Sequence, residues 1–198
     1  LDVTDEQSVL DCVAKAEAAL GALEVVVSGA GDLAVGRSFE QPVEQFTDQI
    51  NIHLNGAYRL YRAVIPGMIE RARGDFVFIG SDVTQRPRTF SSAYVAAKSG
   101  IDGLVTTVQM ELEGTGVRAG LVRPGQTLTG MGMDLDQKTT EDMLNDWIKF
   151  GIARHGNFLS PEHIAQAIAG MIGMPRGAHM RIVEVEAEGA VPKAKRSQ

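Results

Sequence analysis

Apolar residues recur at three- and four-residue intervals in some stretches and in short β-branched runs in others, and the two patterns alternate along the chain. Val9, Val13, Ala16 and Leu20 share one helical face, with Thr4 and Gln7 spaced as a capping box before them and Gly21 as the stop. Residues 22–28 are valine-rich and bounded by Gly21 and Gly29, the pattern of a buried parallel strand. A turn of small residues, Ser28-Gly29-Ala30-Gly31, follows directly. Phe46, Ile50, Leu54, Ala57, Leu60, Val64 and Met68 predict one long helix over 43–73, bent near Asn55-Gly56. Residues 75–80 form a second strand, and Tyr94, Ala97, Ile101, Val105, Val108 and Leu112 mark a helix capped at Ser91 or Ser92. Residues 116–123 form a third strand closed by Pro124-Gly125. The stretch 126–159 is long and irregular, with a helix at 141–150, and such length inside a compact domain usually serves function. Ser160-Pro161-Glu162 opens a helix carrying Ile164, Ile168 and Met171 on one face, 181–186 is the last strand, and 192–198 is a polar, frayed tail. Strands alternating with helices predict an α/β fold with a mostly parallel sheet.

Composition narrows the function classes. The 198 residues carry 19 Lys and Arg against 25 Asp and Glu, a net charge of −6, so no basic field is available for a nucleic-acid backbone or an anionic membrane surface. Cys12 is the only cysteine and has no partner for an internal disulfide, which fits a reducing, cytoplasmic setting. No apolar run approaches a bilayer span. His155, His163 and His179 lack the close, repeated spacing of a metal site, and no metal is expected.

Candidate chemistry begins with Tyr94-Val95-Ala96-Ala97-Lys98, which sets a phenol and an ammonium at i and i+4 on one helical face. Ser81 stands at the end of the preceding strand, and ligands of open parallel sheets gather at that edge. A tyrosine is a poor base at neutral pH unless a nearby cation favours its ionised form, and Lys98 is placed to supply one. Read alone, Tyr-x-x-x-Lys is a weak signal, and one exposed aromatic with one solvated lysine is the favoured reading. The ordered set is more specific: Asp2-Val3, Ser28-Gly29-Ala30-Gly31, Ser81, Tyr94 with Lys98, then Pro124-Gly125, Thr127 and Thr129. With that set the chain resembles the classical short-chain dehydrogenase/reductase family from Leu1 to about Gly189.

The resemblance implies a Rossmann-like, doubly wound, mostly parallel sheet and an NAD- or NADP-dependent oxidoreductase that interconverts a secondary alcohol and a ketone. It makes Tyr94 the acid/base, Ser81 the hydrogen-bonding partner of the substrate oxygen, and Lys98 the modulator of the tyrosine and holder of the nicotinamide ribose. It assigns Asp2 and Val3 to the adenine, and Ser28, Gly29, Ala30, Gly31, Pro124, Gly125, Thr127 and Thr129 to the cofactor, Thr129 at the carboxamide. The family's Asn-Asn-Ala-Gly turn reads Ser28-Gly29-Ala30-Gly31 here, keeping close backbone approach without the amide side chains. The family's helical asparagine aligns with His53, which reads either as a member of the proton relay behind Lys98 or as a structural histidine at a helix bend. Residues 127–159 resemble the family's substrate lid. Leu128, Met131, Met133, Leu135, Met143, Leu144, Trp147, Phe150 and Phe158 there suggest a roomy apolar pocket, with Met131, Met133 and Trp147 against a bulky apolar substrate.

The glycine-rich phosphate turn of the family has no counterpart. Residues 1–191 therefore read as the C-terminal portion of a single domain lacking the first two β-α units, roughly 60 residues or more at about 30 per unit. The expectation is weak dinucleotide binding by these residues alone and an open hydrogen-bonding edge on the first strand. A homodimer or homotetramer is implied by the way family members pair. Two other readings compete: a truncated, non-catalytic relative acting as an association module, and a flavodoxin-like binding module in which Ser81, Tyr94 and Lys98 coincide by chance.

Overall fold

The computed structural model describes residues 1–132 and 135–190; Met133 and the tail 192–198 lie outside the described residues. Four parallel strands, β1 (Val25–Ser28), β2 (Gly74–Ile79), β3 (Val117–Pro124) and β4 (Ile182–Val185), form one sheet in the order β1-β2-β3-β4. Helices connect them: α1 (Glu6–Leu20), α2 (Val43–Ile50), α3 (Gly56–Glu70), α4 (Ser92–Glu111), α5 (Gln137–Lys149) and α6 (Pro161–Ile172). Among the described residues β1 pairs on one side only, with β2.

Alternation along the two central strands builds both layers of the core. Phe76 and Phe78 of β2 and Ala119 and Leu121 of β3 point to one face, where Val64, Met68, Ile101 and Val105 of α3 and α4 cover them. Val77 and Val122, the intervening residues, meet Met171 and Ile168 of α6 on the other face. Phe76, Phe78, Ala119 and Leu121 are fully buried, as both-face coverage of a parallel sheet requires.

Local chemistry sets the element ends. The carboxylate of Asp5, not the hydroxyl of Thr4, caps α1 by accepting from the Gln7 N–H at 2.9 Å, while Thr4 Oγ1 donates to Asp2 Oδ1 at 2.7 Å. Gly21 closes α1 at φ 80°. In α6 the capping box pairs Ser160 with His163, whose Nδ1 accepts from the Ser160 N–H at 3.1 Å. The helix expected over 43–73 is interrupted: a π-helical turn at Asn51–Asn55 separates α2 from α3. Helices so widened by one residue are common at functional sites, and this one carries His53.

Candidate active site

The strands end together at one edge of the sheet, so the turns after β1, β2 and β3 lie side by side: Ser28-Gly29, Gly80-Ser81 and Pro124-Gly125. A cavity of about 560 Å³ opens there. Ser81, Tyr94, Lys98 and His53 all line it, together with Gly29, Gly31, Pro124, Gly125, Thr127, Thr129, Met131 and Trp147. Ser28 is the last residue of β1 and Ala30 lies between two lining glycines, but neither side chain reaches the wall. Asp2 and Val3 stand away from it: Asp2 is exposed and bonded to Thr4, and the Val3 carbonyl accepts from Arg59 at 3.0 Å. Of the expected lid residues, Leu135, Met143 and Phe158 also face the cavity, whereas Leu128, Leu144 and Phe150 are exposed and do not line it.

Ser81 follows β2 and is buried. Its Oγ accepts from the Val83 N–H and donates to Asp82 Oδ1, both at 3.3 Å, which fixes the hydroxyl at the head of a short 3₁₀ turn. Tyr94 and Lys98 sit one turn apart on α4. Lys98 is buried, and its Nζ donates to the Ile79 carbonyl at 2.8 Å while standing 5.5 Å from the centre of the Tyr94 ring. Loss of water lowers the Lys98 pKa to about 8, with Asp102 opposing the fall. The Tyr94 phenol is instead raised above its ordinary value, chiefly because burial penalises the phenolate; the Ser81 hydroxyl and the Arg88 guanidinium pull it down and Asp82 adds to the rise.

His53 is 2 % exposed and turned inward by the π-helical turn. Its Nε2 lies 2.6 Å from the Asp32 carbonyl oxygen, so that nitrogen carries the proton, and its ring meets Tyr94 edge to face with centroids 5.1 Å apart. Nδ1 is buried without a hydrogen-bond partner among the described residues. Burial, then the Lys98 charge, push the imidazole down to about 4, so it is neutral at physiological pH. Gly31 is needed for this packing, because a Cβ there would stand 2.6 Å from His53 Cε1.

Two wall residues were invisible to motif reading. Arg88 and Asp82 form an ion pair on the cavity wall, and the guanidinium lies over the Trp147 ring with Cζ 5.4 Å from its centre. Trp147 is held by its own Nε1–H donated to the Thr89 carbonyl at 3.3 Å. Arg88 lies in an aperiodic loop between β2 and α4, where no spacing rule marks it; a charged residue beside Pro87 in a connection was the only available signal.

Among the described residues no cluster of three or more His, Cys, Asp or Glu is gathered for a metal ion, and no helix is long and apolar enough to cross a membrane. The residues on the wall do fit the nicotinamide end of a dinucleotide: side-chain-free approach at Gly29 and Gly31, hydroxyls at Thr127 and Thr129, and a buried ammonium at Lys98.

Known proteins resemble this chain in sequence and in fold. The family model described as short chain dehydrogenase matches residues 1–140. The chain is 30% identical over 168 residues to a 3-oxoacyl-(acyl-carrier-protein) reductase of Thermotoga maritima, an overlap covering 85% of this chain and 66% of that protein, so it spans just under two thirds of that relative's length. It is 33% identical over 169 residues to an inactive 2-(S)-hydroxypropyl-CoM dehydrogenase of Xanthobacter autotrophicus, covering 84% of this chain and 72% of the other. Among solved structures, an alcohol dehydrogenase from Thermococcus sibiricus complexed with 5-hydroxy-NADP superposes with a TM-score of 0.74 at 27% identity, covering 94% of this chain and 72% of that one. On the match to more than half its length and on the shared parallel-sheet architecture, the chain belongs to the short-chain dehydrogenase family.

Proposed function

We propose that the protein is an NAD(P)-dependent oxidoreductase that interconverts a secondary alcohol and a ketone, with Tyr94 as the proton-transferring group. The observation that supports this reading is the convergence of Ser81, Tyr94 and Lys98, from two different elements, on one cavity at the carboxyl edge of a parallel sheet. A nicotinamide dinucleotide supplies hydride exchange when bound. Gly29, Gly31, Lys98, Pro124, Gly125, Thr127 and Thr129 would hold its nicotinamide end, with Ser28 and Ala30 in the same turn, while Asp2 and Val3 are proposed for its adenine end.

Ser81 orients the substrate oxygen with a hydroxyl already fixed by the Val83 N–H. Tyr94 carries its proton at neutral pH, as an ordinary phenol does, and burial favours that neutral form further, so it is poised to donate a proton to a carbonyl oxygen. In the reverse sense it must take up a proton as the phenolate, which the Ser81 hydroxyl and the Arg88 guanidinium favour, with the Lys98 ammonium 5.5 Å from the ring centre. His53, neutral and anchored to Asp32, keeps the Tyr94 ring in place through its edge and offers Nδ1 as an acceptor behind it. The protein is proposed to work in the cytoplasm and as a homo-oligomer.

Tyr94→Phe tests the assignment. Turnover is expected to fall by about a hundredfold or more, with cofactor affinity within about twofold of wild type. Turnover retained in that variant overturns the role.

A further inference from the structure

The substrate end of the cavity is walled mainly by apolar side chains, among them Leu135, Met143, Phe158 and Ile164, yet one guanidinium is built into it. Arg88 is 13% exposed at its side chain and held on two sides, by the ion pair of one Nη with Asp82 and by its face against Trp147. Its Nε is buried with no hydrogen-bond partner among the described residues, so part of the donor fork has no acceptor among them. Asp82 is itself shared, one oxygen on Arg88 and the other accepting from Ser81. Burying a cation among apolar groups is costly unless a ligand group completes its hydrogen bonds. Arg88 and Tyr94 line the same cavity, which puts the guanidinium and the reacting oxygen in one compartment.

We infer that Arg88 is a carboxylate-recognition residue, and that the substrate is a hydroxy or keto acid whose apolar body lies along α5 and α6 while its carboxylate meets the Arg88 fork. This rests on the oxidoreductase reading above and replaces a purely apolar substrate by an apolar one with an anionic end. A planar carboxylate matches a guanidinium in two parallel N–H···O bonds, and the Asp82 ion pair, with the Trp147 ring under Cζ, holds the guanidinium in place before the ligand arrives. Asp82 competes with the ligand for the same cation and sets the affinity low enough for release.

Trp147 is the only tryptophan in the chain and forms part of the wall, so its fluorescence reports occupancy without turnover. Titration of the full chain near neutral pH with hexanoate and with hexanamide separates charge from shape. Hexanoate is expected to half-saturate at about a tenfold lower concentration, the value of a charge-assisted pair, and Arg88→Gln is expected to make the two equal. Equal affinity in the wild type, or a preference that survives in folded Arg88→Gln, overturns the inference. Asp82→Asn is the independent arm: removal of the competing carboxylate should tighten hexanoate severalfold and leave hexanamide unchanged, and the reverse result also overturns it. Carboxylate preference together with failure of every 2- and 3-hydroxy acid to be oxidised by the protein strikes the oxidoreductase reading and leaves the anion site standing. Turnover of neutral alcohols without that preference does the opposite.

Discussion

Burial holds the His53 imidazole at a pKa of about 4, against 6.5 for a histidine in water, because imidazolium would lose its hydration and face the Lys98 ammonium. Between those two values the unfolded chain binds the proton that the folded chain refuses, so stability falls as pH drops from 6.5 toward about 4. At about 1.4 kcal/mol per pH unit the loss is on the order of 3 kcal/mol. His53→Asn, which cannot titrate, should flatten the urea midpoint across that range, and an unchanged pH slope would remove His53 as its source. Lys98 titrates in the working range from the other side: its ammonium neutralises as pH rises through about 8. Turnover should therefore decline on the alkaline side near that value, and Lys98→Arg, which keeps its charge, should move the decline up by more than about one unit. The placing of Tyr94 and Lys98 on one helical face was legible from their i, i+4 spacing, but their role was not, since it came from the ordered motif set and the family that set resembles. The neutrality of His53 was not, because it depends on the Asp32 carbonyl and on burial, neither of which spacing records.

At the scale of elements, the π-helical turn at Asn51–Asn55 and the glycine turn after β1 form one device. One extra residue in the helix swings His53 toward the sheet edge, and the missing side chain at Gly31 leaves room for its ring. Gly31→Ala puts a carbon inside the imidazole and should lower stability by about 1–3 kcal/mol, with the melting temperature as readout; full stability would mean that His53 relocates freely. The sequence pattern placed a bend at Asn55-Gly56 but read the segment as one helix. Apolar spacing tolerates a single inserted residue, since Leu54 and Ala57 still face α4 and the sheet after the turn is widened. Strand identities read correctly because β2 and β3 are buried on both faces and so carry continuous apolar runs.

At the scale of the whole molecule, the far end of the sheet is tied by a buried charge network remote from the cavity. Arg118 of β3 donates to Asp75 of β2 at 2.6 Å and to the carbonyls of Ile172 at the end of α6 and of Met174 and Ala178 beyond it, while Arg176 reaches the other Asp75 oxygen at 3.1 Å. These bonds fasten the exit of α6 to the two central strands. Asp75→Ala leaves Arg118 buried without its counter-ion and should cost about 3–5 kcal/mol, measured as a shift of the urea midpoint with the slope unchanged; a loss under about 1 kcal/mol would mean that the carbonyls alone satisfy the arginine.

The order of strands and helices and the parallel α/β architecture were legible in the sequence from local periodicity and end signals, and Ser81, Tyr94 and Lys98 as candidates from an ordered motif set that resembles a known family. Only the tertiary structure decided which of the remaining candidates share a wall. Gly29, Gly31, Thr127, Thr129, Met131 and Trp147 converge there, whereas Asp2, Val3, Leu128 and Phe150 do not. It also introduced Arg88 and Asp82, and it gave His53 its neutral state. The physical reason is the range of the interactions: periodicity encodes which face of an element avoids water, but convergence, desolvation and charge pairing are set by groups tens of residues away, brought together only when the sheet forms.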